Sequence, residues 1–374
     1  MKQDPHSENS LYMAMELSNN QWRLAFGDGR QERQVTVPAR DRVRLAQAIA
    51  KAKVKLGLAA DTRVYSCFEA GRDGFWIHRL LEQMGVFNLV VDSASIEVNR
   101  RKRRAKTDRL DATKLLSMLL RYWRGGEKKV WCVVRVPSEE DEARRRHHRN
   151  EERIKNERRQ HLVRMKSLLI LNGVNVARLP KDWRTVKDWD NRPLPEEVVR
   201  ELEQEQERLA VVVRQLKELE QTRTHLLRAA KKATEAPAAE RWAAKLAEVK
   251  GVGEDTAWRL AHEFFGWRQF RNRREVGGAA GLTGSPYSSG DSQRDQGISK
   301  AGNARVRHLM TELAWRWLRF QPDSELAQWY TRRFGEGTKR MRRVGIVALA
   351  RKLLVALWRY GAQGVVPDGA VIKV

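Results

Sequence analysis

Residues 11–39, LYMAMELSNNQWRLAFGDGRQERQVTVPA, decide the fold class. LYMAMEL and QWRLAF are short runs of strand formers separated by the polar turn SNN, and RQVTVPA follows the turn GDGR. Together they read as a three-stranded meander. Downstream, a basic amphipathic helix over about Asp41 to Lys55 leads to RVYSCFE, a buried strand, then a helix from Asp73 to Met84 and a further strand, FNLVVD. Strands that are first sequential and then alternate with helices predict an α/β domain with a mixed sheet flanked by helices.

Beyond Asp92 the composition changes. Between Asn99 and Arg135 the chain carries 13 basic and 3 acidic residues, among them Arg100, Arg101, Lys102, Arg103, Arg104 and Lys106. This segment reads either as a phosphate-contacting face or as a disordered arm. From Ser138 to Ile170 the sequence is almost continuously charged, with a thin stripe at Ile154, Leu162, Met165, Leu168 and Leu169. A second stripe runs through Val198, Leu202, Leu209, Val212, Val213, Leu216 and Leu219, between Glu196 and Ala230. These spacings predict two long helices able to pair as a coiled coil, the second with its counterpart in another subunit. Residues 172–195, rich in proline, form an irregular connection between them. The stretch ATEAPAAE is a hinge, so the domains expected are a disordered lead 1–10, a sheet domain 11–137, long helices over 138–236, and a C-terminal helical domain 237–374 that runs on through two further Trp/Arg-rich helices.

Lysine and arginine number 73 against 47 acidic residues, a net charge of +26. Solubility does not require such an excess, and it calls for a polyanionic partner. A hydrophobic fraction of 41% excludes a merely disordered basic tail, and no apolar run approaches the ~20 residues of a membrane helix. Cys67 and Cys132 lie in separate strand-like runs without metal-ligand spacing, which points to a reducing compartment, the cytoplasm. The start, MKQDPHSENS, lacks the layout of a secretory signal.

Four carboxylates stand out. Glu16 closes the first strand, Glu69 closes RVYSCFE, and Asp108 and Asp111 share one face of a helix start. Acidic residues converging from different elements are what hard divalent cations require; taken singly, each also reads as a solvated surface charge. The segment GLTGSPYSSGDSQRDQGISKAGNARVRHLM, residues 281–310, sets serines in a flexible loop near Lys300, Arg305 and Arg307, so a hydroxyl can lie beside a phosphate held by cations; composition alone favours an ordinary polar loop. LAEVKGVGEDTA resembles a helix-hairpin-helix, whose turn offers N–H groups to phosphate, or is a plain packing corner. Trp315, Trp317, Trp329 and Trp358, set among arginines, are core anchors or stacking platforms for bases.

The order ELSNNQW, FEAG, KTDRLDA, a long charged helical insert, KGVGEDTA and GLTGSPYSSGDSQRDQGISKAGNARVR resembles the DEDD transposases of bacterial insertion sequences, the bridge-RNA-guided recombinases, over nearly the whole chain. The resemblance implies an RNase H-like (RuvC-like) first domain, a coiled coil and a C-terminal transposase domain. It implies magnesium held by Glu16, Glu69, Asp108 and Asp111, and a serine nucleophile, Ser289 with Ser288 in reserve, in a site completed by another subunit. Partners implied are donor and target duplex DNA, a structured guide RNA and a homo-oligomer, a dimer of dimers, acting at the nucleoid. The RNA is expected on the cluster from Arg100 to Lys106 and on the basic helix from Arg144 to Arg159. One position departs from the pattern: the family's first acidic residue is an aspartate in a GID-type run, and here it is Glu16 in AMEL, with about 1.5 Å more reach. Two other function classes fit the same residues, a resolvase-like nuclease in which water replaces serine, and a nucleic-acid binder with a weakened catalytic centre.

Overall fold

A computed structural model describes residues 10–71, 74–96, 108–233, 235–289 and 292–373. The lead up to residue 9 and the cluster Arg100, Arg101, Lys102, Arg103, Arg104 and Lys106 lie outside the described residues. The chain divides into two compact units, Met1–Val136 and Pro137–Val374.

The first unit is a five-stranded sheet. Strands β1 (Leu11–Leu17), β2 (Gln21–Gly27) and β3 (Glu32–Pro38) form the expected antiparallel meander, and β4 (Val64–Glu69) and β5 (Val86–Val91) add to β1 in parallel, giving the order β3-β2-β1-β4-β5. The period of two sorts each strand between the faces. Leu11, Met13 and Met15 of β1, with Val64 and Phe68 of β4, pack on Leu45, Ile49, Ile77 and Leu81 from helices α1 (Arg42–Lys55) and α2 (Trp76–Gln83). Tyr12, Ala14, Tyr65 and Cys67 face the other way, onto Ala112, Leu115, Leu116 and Leu119 of α3 (Asp108–Trp123). The sheet is therefore covered on both sides, which is why β1 is buried from Leu11 to Met15.

Local chemistry sets the helix ends. Asp41 caps α1 by accepting from the Arg44 amide, and Lys53 and Lys55 sit in its last turn, where the helix dipole favours cations. Helix α2 begins at Trp76, three residues later than the pattern suggested; Gly74, two residues before it, takes a φ of 74°, a left-handed conformation that glycine adopts without a steric cost. Cys132 is exposed and lies outside any strand, whereas Cys67 is buried in β4.

The second unit opens with the two long helices, α4 (Glu139–Leu171) and α5 (Glu196–Lys232). Ser138 caps α4, and four acidic residues fill its first turn. The two helices pack on each other within the chain. Met165 and Leu169 meet Val199 and Leu202, and Ile154 meets Val212 and Leu216. Most of the stripe expected to seek a second subunit is thus filled within the chain, with Leu216 only 7% exposed, while Val213 is left 43% exposed.

Helices α6 (Ala238–Ala247), α7 (Glu254–Leu260), α8 (Arg273–Ala279), α9 (Ala304–Phe320), α10 (Glu325–Phe334) and α11 (Lys339–Gln363) form the rest of the unit around a core containing Phe264, Trp317, Leu349 and Leu353. Three helices follow residue 300, one more than the sequence indicated. Between α8 and α9 the segment read as a flexible loop is a β-hairpin, β6 (Gly284–Ser289) and β7 (Ser292–Ile298). The turn between α6 and α7, the helix-hairpin-helix candidate, is anchored from within: Val249 and Val252 are fully buried, and the Lys373 ammonium donates to the carbonyls of Ala247 and Val252. Gly251, at φ 89°, makes the corner possible, and a side chain there would crowd Phe320 at 3.1 Å. No helix among the described residues is long and apolar enough to cross a membrane.

Candidate active-site elements

Alternation and register place the first two carboxylates. Glu16 follows Met15 in β1 and Glu69 follows Phe68 in β4, and Met15 pairs with Phe68 in the parallel ladder, so the two acids occupy neighbouring positions at the same end of adjacent strands. Both fall on the face that Tyr12, Ala14, Tyr65 and Cys67 present to α3. Glu16 is half-buried and Glu69 exposed.

The course of α3 brings the other two acids to the same end. Arg124, just past the end of α3, donates to the Asp28 carbonyl at 2.9 Å, and Leu116 lies near Gly27, which pairs with Tyr12 at the start of β1. The helix therefore runs back along β1, and its first turn, with Asp108 and Asp111, lies toward the end that carries Glu16. Asp111 is half-buried beside the fully buried Ala112; the side chain of Asp108 lies outside the described residues. Four carboxylates make an all-oxygen donor set, the hard chemistry that magnesium takes. Among the described residues no three His, Cys, Asp or Glu side chains gather closely enough to hold an ion by themselves, so the fit is one of position and donor type. The register also sets Arg23 directly across from Glu16, a cation the sequence reading did not include.

Ser289 is the last residue of β6 and pairs with Ser292, with Ser288 opposite Gln293, at the tip of the hairpin. The side chains of residues 285–296 lie outside the described residues. The base of the hairpin is tightly laced. Ser299 donates its amide to the Thr283 carbonyl, Lys300 to Gly281 and Asn303 to Ala279. Gly281 and Gly302, both at positive φ, let the strands approach: a Cβ on Gly281 would meet the Ala301 oxygen at 2.1 Å, and one on Gly302 the Ala279 oxygen at 2.4 Å.

Of the three cations expected to hold phosphate here, Lys300 is exposed, in a left-handed conformation at φ 55°. The Arg307 guanidinium donates to the Ala280 and Lys300 carbonyls, and so helps close the hairpin base. Arg305, half-exposed, pairs with Glu152 at 3.2 Å.

A buried ionic network fixes the helix that follows. Asn303 caps α9 and donates from Nδ2 to Glu263 at 3.2 Å. Glu263 is 3% exposed and also bonded by His148 Nε2 at 2.8 Å and by Arg149 through Nε and Nη2. Burial would raise its pKa, but the His148 and Arg149 hydrogen bonds dominate and hold it far below the usual carboxylate range. Glu205 behaves alike: burial raises it, bonds from His161, Arg164 and Arg208 outweigh that, and it falls to about 2. Further contacts join Glu151 to Arg223 and Lys155, and Glu152 to Arg259. Within the basic helix run, Arg144, Arg149, Arg153 and Lys155 are thus paired with carboxylates, and Arg145 stacks over Trp267 at 5.0 Å. No sequence spacing signals the Glu263 network, because Asn303 lies 40 residues from Glu263 and His148 and Arg149 more than a hundred.

The family model described as "Transposase IS116/IS110/IS902 family" matches residues 243–329, from α6 through the hairpin into α10. The chain is similar to a protein of Sinorhizobium fredii described as a transposase, y4rJ, at 40% identity over 383 residues, 97% of this chain and 95% of the relative. A second S. fredii relative described as a transposase, y4qE, is 27% identical, over 67% of this chain and 58% of its own length. The transposase for insertion sequence element IS1328 of Yersinia enterocolitica is 27% identical, over 61% of this chain and 66% of its own length.

Proposed function

The chain belongs to the insertion-sequence transposases, enzymes that cut and rejoin DNA, and from that premise we propose that it works through a serine–DNA intermediate. The order β3-β2-β1-β4-β5, antiparallel and then parallel, supports reading the first unit as RNase H-like and RuvC-like. The observation that carries the proposal is the convergence of Glu16 and Glu69 on neighbouring strand ends beneath the first turn of α3.

Ser289 attacks a backbone phosphate. One Oγ–P bond forms, one P–O bond to deoxyribose breaks, the serine proton leaves to solvent and the freed deoxyribose oxygen takes one up. No phosphodiester energy is lost, so a second hydroxyl can reverse the step and rejoin the strand without a high-energy co-reactant. Glu16, Glu69, Asp108 and Asp111 hold magnesium, which when bound supplies positive charge for the phosphate and the leaving oxygen. A structured guide RNA and a dimer-of-dimers assembly belong to the same reading, supported by the resemblance and by the net charge of +26. With the α4–α5 seam filled inside one chain, the assembly uses other surfaces, such as the side of α5 that exposes Val211 and Val213.

The test is a single-turnover reaction with end-labelled DNA carrying the element's ends, resolved on a denaturing gel. A protein–DNA adduct is expected for the wild type and lost in Ser289→Ala, with DNA affinity within a few fold because cationic contacts dominate binding. Cleavage without any adduct, in wild type as well, means that water is the nucleophile and that the resolvase-like nuclease is correct. An adduct that persists in Ser289→Ala and disappears in Ser288→Ala moves the nucleophile by one residue.

A further inference from the structure

The second unit contains a groove of about 1160 Å³ formed by α8, the foot of the hairpin, α10, α11 and residues 365–368. Small-molecule pockets run to ~300–1,000 Å³, so a space of this size suits a segment of polymer. Seven exposed cations line it, Arg273, Arg274, Lys300, Arg340, Arg351, Lys352 and Arg359, and none of them is ion-paired with a carboxylate among the described residues. Among the described residues only two carboxylates, Glu325 and Asp368, share the lining. Arg340, Arg351 and Arg359 lie along α11 over 19 residues, roughly 28 Å of helix. The positive charge is therefore drawn out in a line, as a linear polyanion requires.

The floor is apolar, and this narrows the occupant. Ile298, Val347 and Val355 line it together with Trp329, which is half-buried, meets Phe334 edge-on at 5.7 Å and has the Lys352 ammonium 4.6 Å from its ring centroid. A duplex offers phosphates but keeps its base faces stacked inside, leaving such a floor unused. An unpaired strand offers phosphates and base faces together.

We infer that this groove holds a short unpaired segment of nucleic acid, its phosphates along α8 and α11 and a base against Trp329. The inference rests on the transposase reading for its place in the reaction, at a point where strands are opened beside the hairpin; the binding itself is measurable without it.

Fluorescence anisotropy on the full-length protein tests it, with labelled oligo(dT) and oligo(U) of about 15 nucleotides, in the range of known single-strand sites, and a duplex of equal length. Arg351→Glu with Arg359→Glu is expected to weaken both single strands at least tenfold. It is also expected to reduce the slope of log affinity against log salt by about 1.4, at ~0.7 per lost phosphate contact. Trp329→Ala is expected to weaken single strands about tenfold and leave the duplex unchanged, while Trp329→Phe, which keeps a ring, stays within about threefold. A preference for oligo(U) or for oligo(dT) names RNA or DNA as the occupant, and either upholds the groove. Equal losses for duplex and single strands, or no loss in the double variant, overturn it. The serine mechanism is read separately: a missing adduct with the groove effects intact removes the mechanism alone, and an intact adduct with no groove effects removes the groove alone.

Discussion

Arg149 on α4 and Arg351 on α11 are the same residue type in the same unit, and their surroundings are opposite. Arg149 is bonded through two nitrogens to the buried Glu263, which also takes His148 and Asn303. Arg351 faces an open groove among other cations that have no carboxylate partner among the described residues. A chain of net charge +26 thus contains two electrostatic regimes. Around α4 and α5 positive charge is neutralised internally and fixes helices against one another. Along α8 and α11 it is left facing outward, where like charges repel until a polyanion arrives. Net charge alone does not distinguish structural from interacting arginines; what each guanidinium touches does.

The comparison breaks first at Glu263. Glu263→Ala leaves His148, Arg149 and the cap residue Asn303 without their shared acceptor, and about 3–5 kcal/mol of stability is expected to go, measured by urea unfolding. A loss under about 1 kcal/mol means that the network does not hold α4 to α9.

A second expectation concerns acid. Burial, the leading cause, lowers the pKa of His262 to about 4, against ~6.5 in an unfolded chain. The folded state thus favours the neutral ring. Stability is complete above pH ~6.5 and falls between pH ~6.5 and about 4, by at most about 3 kcal/mol. Denaturation midpoints measured across that window check it, and the slope is expected to flatten in a His262→Gln variant; an unaltered slope assigns the acid sensitivity to other groups.

Leu216→Ala sharpens the same contrast from the apolar side. It opens a gap against Ile154 and Val212 inside one chain, at a cost of about 2 kcal/mol, with no change in molar mass by light scattering. A fall in mass means that the seam lies between subunits. The smallest effect is expected in the groove, where Arg351→Glu shifts stability by no more than about 0.5 kcal/mol, as for other exposed positions, measured by thermal unfolding. A larger loss makes Arg351 a structural residue and erases the contrast.

The sheet was legible because its strands carry the physics locally: in LYMAMEL and VYSCFE apolar residues fill the buried faces, and a short turn sequence separates each pair of the meander. The placement of Glu16 and Glu69 follows from that alternation alone. The hairpin at residues 284–298 was not legible, since GSPYSSGDSQRDQGI has no apolar face to produce a period of two and its serines and glycines imitate a loop. Its pairing is imposed from below by the laced segments on either side. The partner of the α5 stripe was equally hidden, because an apolar seam looks the same whether its complement comes from α4 of one chain or from a second copy. The Glu263 network and the groove join residues far apart in sequence, and no local pattern announces either.

The bonds at the base of the hairpin have a further consequence. Residues 279–283 and 299–303 are held side by side by amide-to-carbonyl bonds and by Arg307, so the two ends of the hairpin are fixed by contacts outside the hairpin itself. Lengthening a chain segment whose ends are already clamped costs little, about 0.6 kcal/mol for each doubling. The segment can therefore change in length and composition with almost no effect on the fold that carries it. Away from Ser288 and Ser289, such a segment is where the fold itself best tolerates a change of length or a transplanted sequence.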